Sequence, residues 1–299
     1  MVPTEEFPAA SSLTLVSGSL KLKVGVVSIV GNVRDHNEDN YYVPGRRSVR
    51  ADKPVDPPSG EHATSILDAE NVFVVADGMG GQLAGEHASA MAVEIIPRAI
   101  ERRLPADELE TKSIQGAIRE AFAEANQEIL GCSGAVSDYA NMGTTAVLAL
   151  FRHSAVYVAG IGDSRAYRLR AGRIERLTKD HSLADALVEA GTITEEELAH
   201  HKYKNVLYLY LGCKDARSGP EDVRVLDVRP GDRFLLASDG LTGVVRDEDL
   251  TDVLETVADP QRAAQTLIDR ALSNESKDNV TALVIHVVSE DGRASSSAA

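Results

Sequence analysis

Asn71-Val72-Phe73-Val74-Val75-Ala76-Asp77-Gly78-Met79-Gly80-Gly81 is the stretch that decides how the rest of the chain is read. An unbroken apolar run rich in Val and Phe predicts a strand over Asn71 to Ala76 buried on both faces, and an acidic residue closes it before a glycine-rich turn. A lone Asp-Gly after a strand is ordinary turn chemistry. Here the pattern recurs. Phe234-Leu235-Leu236-Ala237-Ser238 ends in Asp239-Gly240, the run Ala155 to Gly160 leads into Gly162-Asp163-Ser164-Arg165, and Lys277-Asp278-Asn279 opens a further strand at Val280. Asn37-Glu38-Asp39 adds another acidic segment. Carboxylates gathered at strand ends repel one another and hold protons, unless a hard divalent cation is gathered with them. The conjunction therefore predicts a cation site on a rigid scaffold.

Composition limits what else the chain can be. At 299 residues and 43% hydrophobic content, one domain is expected, because β-rich single domains often run to ~250 residues. That domain is placed at residues 21–288, between loose tails at 1–20 and 289–299 that mix small and polar residues without periodicity. A net charge of -15, with only short basic clusters at Arg46-Arg47 and Arg102-Arg103, argues against nucleic acid as a partner. Cys132 and Cys213 have neither metal-ligand spacing nor a disulfide framework, and are read as two buried thiols in a reducing compartment. No basic segment precedes an apolar leader and no apolar run reaches the ~18 residues of a membrane span, so no membrane contact and a cytoplasmic location are expected. A monomer is the default expectation.

Between the acidic segments, Leu20 to Val30 alternates like a strand, while Arg46 to Glu70, with Pro54, Pro57, Pro58 and Gly60, predicts a long excursion. Helical spacing covers Ala84 to Leu104, where Pro97 should kink or divide the run, and Ser113 to Leu130. Strands are expected over Thr144 to Phe151, Ala155 to Gly160, Arg165 to Arg170 and Arg173 to Leu177, then a helix over Leu183 to Ala199. Strands Val223 to Val228 and Arg233 to Ala237, helices Asp247 to Thr256 and Pro260 to Leu272, and a closing strand Val280 to Val288 complete the order. Strands mixed with paired helices, without regular alternation, predict an α+β fold of two antiparallel sheets with helices outside.

Six segments in order carry a resemblance: Gly31-Asn32-Val33-Arg34 with Asn37-Glu38-Asp39, Val75 to Gly81, Met142-Gly143-Thr144-Thr145, Gly162-Asp163-Ser164-Arg165, Ser238-Asp239-Gly240-Leu241 and Asp278-Asn279-Val280-Thr281. Together they resemble the metal-dependent Ser/Thr protein phosphatases of type 2C, in their bacterial form, over roughly residues 23–288. The resemblance implies a central sandwich of two antiparallel β-sheets flanked on both sides by α-helices, a four-layer αββα fold with a two-metal site at one end. It implies Mn²⁺ or Mg²⁺ as cofactor, oxygen ligands being suited to hard ions. By the same resemblance Asp77 bridges two ions, the Gly78 carbonyl binds one, Asp239 and Asp278 bind the other, and Glu38 and Asp39 hold waters on them. Asp163, with Asp239, matches the ligands of a third, weaker ion. Arg34 is implied to grip the phosphate, a role that suits the planar fork of a guanidinium. Residues 182–212, including Asn205, match the position of a flap beside the site that influences substrate choice.

The implied activity is hydrolysis of phosphoserine and phosphothreonine in proteins by a water activated between the two ions, opposing Ser/Thr kinases. Phosphorylated proteins, including such kinases and their substrates, are the implied partners. At the position after Gly80-Gly81 many bacterial members carry a histidine, where this chain has Gln82, and an amide cannot donate a proton at neutral pH. Solvent on the ions, or His36, His87 or His181, would then protonate the leaving group. Gln82 is the only argument for an alternative, a weak pseudophosphatase acting as a partner-binding module. A metal-dependent nuclease is disfavoured by the acidity of the chain.

Overall fold

A computed structural model of the chain describes residues 13–17, 20–44, 46–47, 71–80, 84–135, 137–198 and 200–289. Gln82 and residues 48–70 of the expected excursion lie outside them, as do 1–12 and 290–299 of the expected tails. One sheet has six strands in the order β1 (Leu13–Ser17), β2 (Leu20–Ile29), β13 (Val280–Ser289), β12 (Arg233–Ala237), β9 (Arg165–Arg170) and β10 (Arg173–Arg176). The second runs β11 (Val223–Asp227), β8 (Ala155–Ile161), β7 (Ala146–Arg152), β5 (Asn71–Met79), β3 (Asp39–Val43) and β4 (Arg46–Arg47), with β6 (Gly143–Thr144) paired beyond β7 on β5. Every pairing is antiparallel.

The alternation of β5 shows why its sequence is apolar throughout. Phe73 and Val75 face the other sheet, joining Phe151 of their own sheet and Leu22, Phe234, Leu283 and Ile285 of the other. Phe151 stands edge-on to both Phe73 and Phe234, with ring centroids 5.8 and 5.1 Å apart, a geometry that adds to the area buried between the sheets. Val72, Val74 and Ala76 point the opposite way, against α1 (Ala84–Arg103) and α2 (Thr111–Ala135) through Ile96, Ile100, Ile118 and Phe122. On the far side α5 (Asp239–Thr242), α6 (Asp247–Thr256) and α7 (Pro260–Ser273) cover Leu235, Ala282 and Val284 of the six-stranded sheet. Three cores between four layers result, as the α+β sandwich expectation required.

Several elements differ from their expectation. Helix α1 runs through Pro97 without a break, although a proline inside a helix costs ~3 kcal/mol. Pro97 is itself buried, and the neighbouring Ile96, Ala99 and Ile100 pack into the core, which offsets the missing bond. The expected helix over 183–199 is two short ones, α3 (Leu183–Glu189) and α4 (Glu195–Leu198), parted where Gly191 takes a left-handed φ of 67°. Leu13–Ser17, expected within the tail, pairs with β2 as an edge strand. Cys132 and Cys213 are half-buried against the α1/α2 core and form no disulfide. Among the described residues no helix is long and apolar enough to cross a membrane.

Where β1 stops short, Gln261 of α7 finishes the sheet edge. Its side chain accepts from the Val26 amide and donates to the Val26 carbonyl, both at 3.0 Å, as a neighbouring strand would. The contact needs Gly25, because a Cβ there would lie 2.2 Å from the Gln261 nitrogen. Gly25→Ala is therefore expected to lower stability by at least ~2 kcal/mol by overpacking, read as a lower urea midpoint. An unchanged midpoint would contradict this account of how α7 seats on the sheet.

Candidate metal centre

The end of the sandwich where β3, β5, β12 and β13 meet collects the acidic residues. Asp39 opens β3 directly opposite Asp77 of β5, a like-charge cross-strand pair that is unfavourable unless something offsets it. Asp39 is 4% exposed. Its Oδ2 accepts hydrogen bonds from Ser238 Oγ at 2.7 Å and Thr281 Oγ1 at 2.6 Å, both from the opposite sheet, while its buried Oδ1 has no partner. Burial pushes the Asp39 carboxyl up to about 7, and neighbouring Asp239 and Asp278 push the same way against the two hydroxyls.

Asp77 is fixed through its main chain. Its amide donates to Thr145 Oγ1 at 3.0 Å, and its carbonyl accepts from the Thr145 amide and Thr144 Oγ1, both at 2.8 Å. Burial holds its carboxyl far above the usual range, followed by the charges of Asp39, Asp239, Asp163 and Asp278. Asp239 stands in the first turn of α5, just past the end of β12, with Oδ1 buried and unpartnered. Burial raises its pKa too, then Asp278, while a hydrogen-bonding contact with Asp77 opposes the rise. Asp163, in the turn after β8, is pushed up to about 8 by burial and then by Asp239 and Asp180. Gly78 follows Asp77, and a Cβ there would stand 2.1 Å from the Gly85 carbonyl, so only glycine lets the first turn of α1 pack against this point.

Three residues to which the sequence assigned no role, Asn279, Thr281 and Ser238, organise the rim. Asn279 accepts from the Glu38 amide at 2.8 Å and donates to the carbonyls of Val30 at 2.9 Å and His36 at 2.8 Å, so one carboxamide pins the loop carrying Arg34 and Glu38. Thr281 and Ser238 together hold Asp39, as described. Glu38 is half-buried, its pKa raised by burial and lowered by Arg34. Arg34 Nη2 donates to Asp278 Oδ2 at 2.7 Å in a half-exposed pair, and Asp278 Oδ1 also accepts from the Asn279 amide at 2.9 Å.

The fold thus brings Arg34, Glu38, Asp39, Asp77, Gly78, Asp163, Asp239 and Asp278 together. His181 lies just behind Asp163. Its Nδ1 is 3.1 Å from both the nitrogen and the oxygen of Gly162, its ring stands edge-on to Tyr208, and burial lowers its pKa. Asn205 is not brought in and sits exposed on the turn after α4. His87 faces away, stacked on Tyr139 at 4.5 Å with Cys132 Sγ 3.8 Å from its Nε2.

Among the described residues no three of these groups already point at one centre as a finished cation cage. Two further features suit a hard cation. The donors are all oxygen, and two buried carboxylate oxygens, Asp39 Oδ1 and Asp239 Oδ1, have no protein partner.

Residues 57–279 match the family model described as protein phosphatase 2C. A serine/threonine phosphatase of Listeria welshimeri is 33% identical over 258 residues, spanning 85% of this chain and 92% of that protein. The catalytic domain of the serine threonine protein phosphatase PstP, solved in complex with two manganese ions, superposes with a TM-score of 0.69 at 30% identity, over 90% of this chain and 99% of that one. Stp1 from Staphylococcus aureus gives a TM-score of 0.73 at 30% identity, over 91% of this chain and 97% of the other. The family model and the relatives agree, and this chain belongs to the protein phosphatase 2C family.

Proposed function

We propose that this chain is a Mn²⁺- or Mg²⁺-dependent protein-serine/threonine phosphatase. The observation that carries the reading is the set of buried carboxylates crowded at one end of the sandwich, with two orphaned oxygens and pKa values raised by burial and then by mutual repulsion. Such a set is costly by itself and becomes favourable around cations. The PstP domain solved with two manganese ions supports the choice of ion. Asp77, Asp239 and Asp278, with the Gly78 carbonyl, are assigned to hold two ions, Glu38 and Asp39 to hold their solvent, and Asp163 to hold a third. When bound, such a pair of ions lowers the pKa of a shared water and neutralises charge developing on the phosphoryl oxygens.

The chain's own residues do the rest. The half-exposed Arg34–Asp278 pair contributes only ~0–1 kcal/mol, so the guanidinium is free to exchange its carboxylate for two phosphate oxygens. Asn279 holds the loop that aims it. His87 and His181 both have other neighbours, which argues against either as the proton donor to the leaving alkoxide. The proposed partners are phosphorylated proteins, with the enzyme opposing Ser/Thr kinases from a cytoplasmic location as a monomer. Residues 182–212 are assigned as the flap, rooted beside the site by mutual main-chain bonds between Thr144 and Leu211 at 2.9 and 2.8 Å.

Phosphate release from a phosphothreonine peptide should require Mn²⁺ and fall at least ~10³-fold in Asp77→Asn and in Asp239→Asn. Release that persists with chelator, or in both variants, would refute the reading, and binding of the peptide without turnover by the manganese-loaded wild type would favour the pseudophosphatase.

Stability of the metal-free chain should depend on pH in a definite sense. Asp39 and Asp163 titrate in the fold near 7 and 8, above the ordinary 3.8, so the folded chain keeps protons that the unfolded chain has released. Their contribution is complete below about 3.8 and is lost as pH rises through about 7 to 8. With chelator present, Tm should fall between about pH 4 and pH 8, more steeply in the wild type than in Asp239→Asn, and Mn²⁺ should restore it most at the upper end. A chelated Tm that is flat or rising across that range would contradict the assignment.

A further inference from the structure

The ladder between β5 and β7 ends at Val75 and Val147, and the partner strand then changes course before it pairs again as β6 with Gly78 and Met79. Thr145 occupies the interruption. Its hydroxyl takes the Asp77 amide proton at 3.0 Å, replacing the carbonyl that a continuous ladder would have offered. The same oxygen lies 2.7 Å from Ser164 Oγ, so one of the two hydroxyls donates a hydrogen bond to the other. Its methyl group rests on Gly162, where a Cβ would approach Thr145 Cγ2 to 2.5 Å and where φ is 97°. Thr145 and Ser164 are 1% and 2% exposed, so no solvent stands in for either bond.

One side chain therefore holds the main chain of Asp77 and both neighbours of Asp163. These two carboxylates belong to a strand and to a separate turn and push on each other electrostatically, Asp163 being among the charges that raise Asp77. Nothing in their own chemistry keeps them close, and the hydroxyl contacts supply the restraint. We propose that Thr145, through its hydroxyl bonds to Asp77 and Ser164, is a positioning residue that sets the spacing of the Asp77 and Asp163 carboxylates for cation binding. The inference rests on the function proposed above, and concerns a residue that would touch neither cation nor substrate. Groups that orient ligands in this way typically change metal affinity by ~10–100-fold when removed.

The test is a calorimetric Mn²⁺ titration of the full chain, paired with loss of the free-Mn²⁺ electron paramagnetic resonance signal. Thr145→Val keeps the shape and removes the hydroxyl, Thr145→Ser keeps the hydroxyl, and Ser164→Ala cuts the contact from its other end. Thr145→Val should bind Mn²⁺ ~10–100-fold more weakly, Ser164→Ala should weaken it in the same direction, and Thr145→Ser should stay within about threefold of wild type. If Thr145→Val fails to fold, Ser164→Ala and Thr145→Ser still decide the matter. Unchanged affinity in Ser164→Ala, or equal losses in Thr145→Ser and Thr145→Val, would overturn the inference while wild-type uptake leaves the proposed function standing. No uptake by the wild type would overturn both.

Discussion

Repulsion among carboxylates that the fold refuses to separate is the constraint from which the rest follows. Asp39, Asp77, Asp163 and Asp239 are each pushed upward by burial and then by neighbouring acids. Left alone, such groups would drift apart or keep their protons. They are held instead by uncharged hydrogen-bonding groups. Ser238 and Thr281 grip Asp39, Thr144 and Thr145 grip the Asp77 main chain, and Asn279 fixes the loop that brings Glu38 and Arg34 to the rim. Neutral hydroxyls and amides can position a carboxylate without neutralising it, which leaves the charge to be met by something that arrives later.

The sandwich makes this possible because it is rigid on both sides of the cluster. Asp39 belongs to one sheet and its two hydroxyl partners to the junctions of β12 and β13 in the other, so its bonds span the inter-sheet core. The aromatic contacts among Phe73, Phe151 and Phe234 lock the same two sheets further inside. A shift of one sheet on the other would break the polar contacts and the packing together, so geometry at the acidic end is tied to the stability of the whole domain.

Much of this was legible in the chain before any coordinates. The strand over Asn71 to Ala76 announces itself because both its faces meet a core, and Asp77, Asp163, Asp239 and Asp278 announce themselves through the glycines and strands beside them. What was not legible depends on distant partners. Thr281 matters because it meets Asp39, 242 positions away, and no local pattern in Val280-Thr281-Ala282 signals that. Asn279 was visible as a neighbour of Asp278 but not as the clamp on Val30 and His36. Strand β3 escaped notice because Asp39-Asn40-Tyr41-Tyr42-Val43 shows no clean alternation, its polar start being part of the site. Apolar spacing over 183–199 reads as one helix, but Gly191 ends the first and a second begins at Glu195, where Thr194 followed by Glu195-Glu196-Glu197 is itself a helix-start pattern. Asn205, read as part of the flap, is exposed on the turn after α4.

The central claim is that this acidic end gathers a pair of cations, and diffraction from manganese-soaked crystals at the manganese absorption edge tests it most directly. The account predicts two strong anomalous peaks ~3.5–4 Å apart, both in contact with Asp77 and one of them also with Asp239 and Asp278. Peaks confined to the protein surface away from Asp77, or none at saturating manganese, would contradict it.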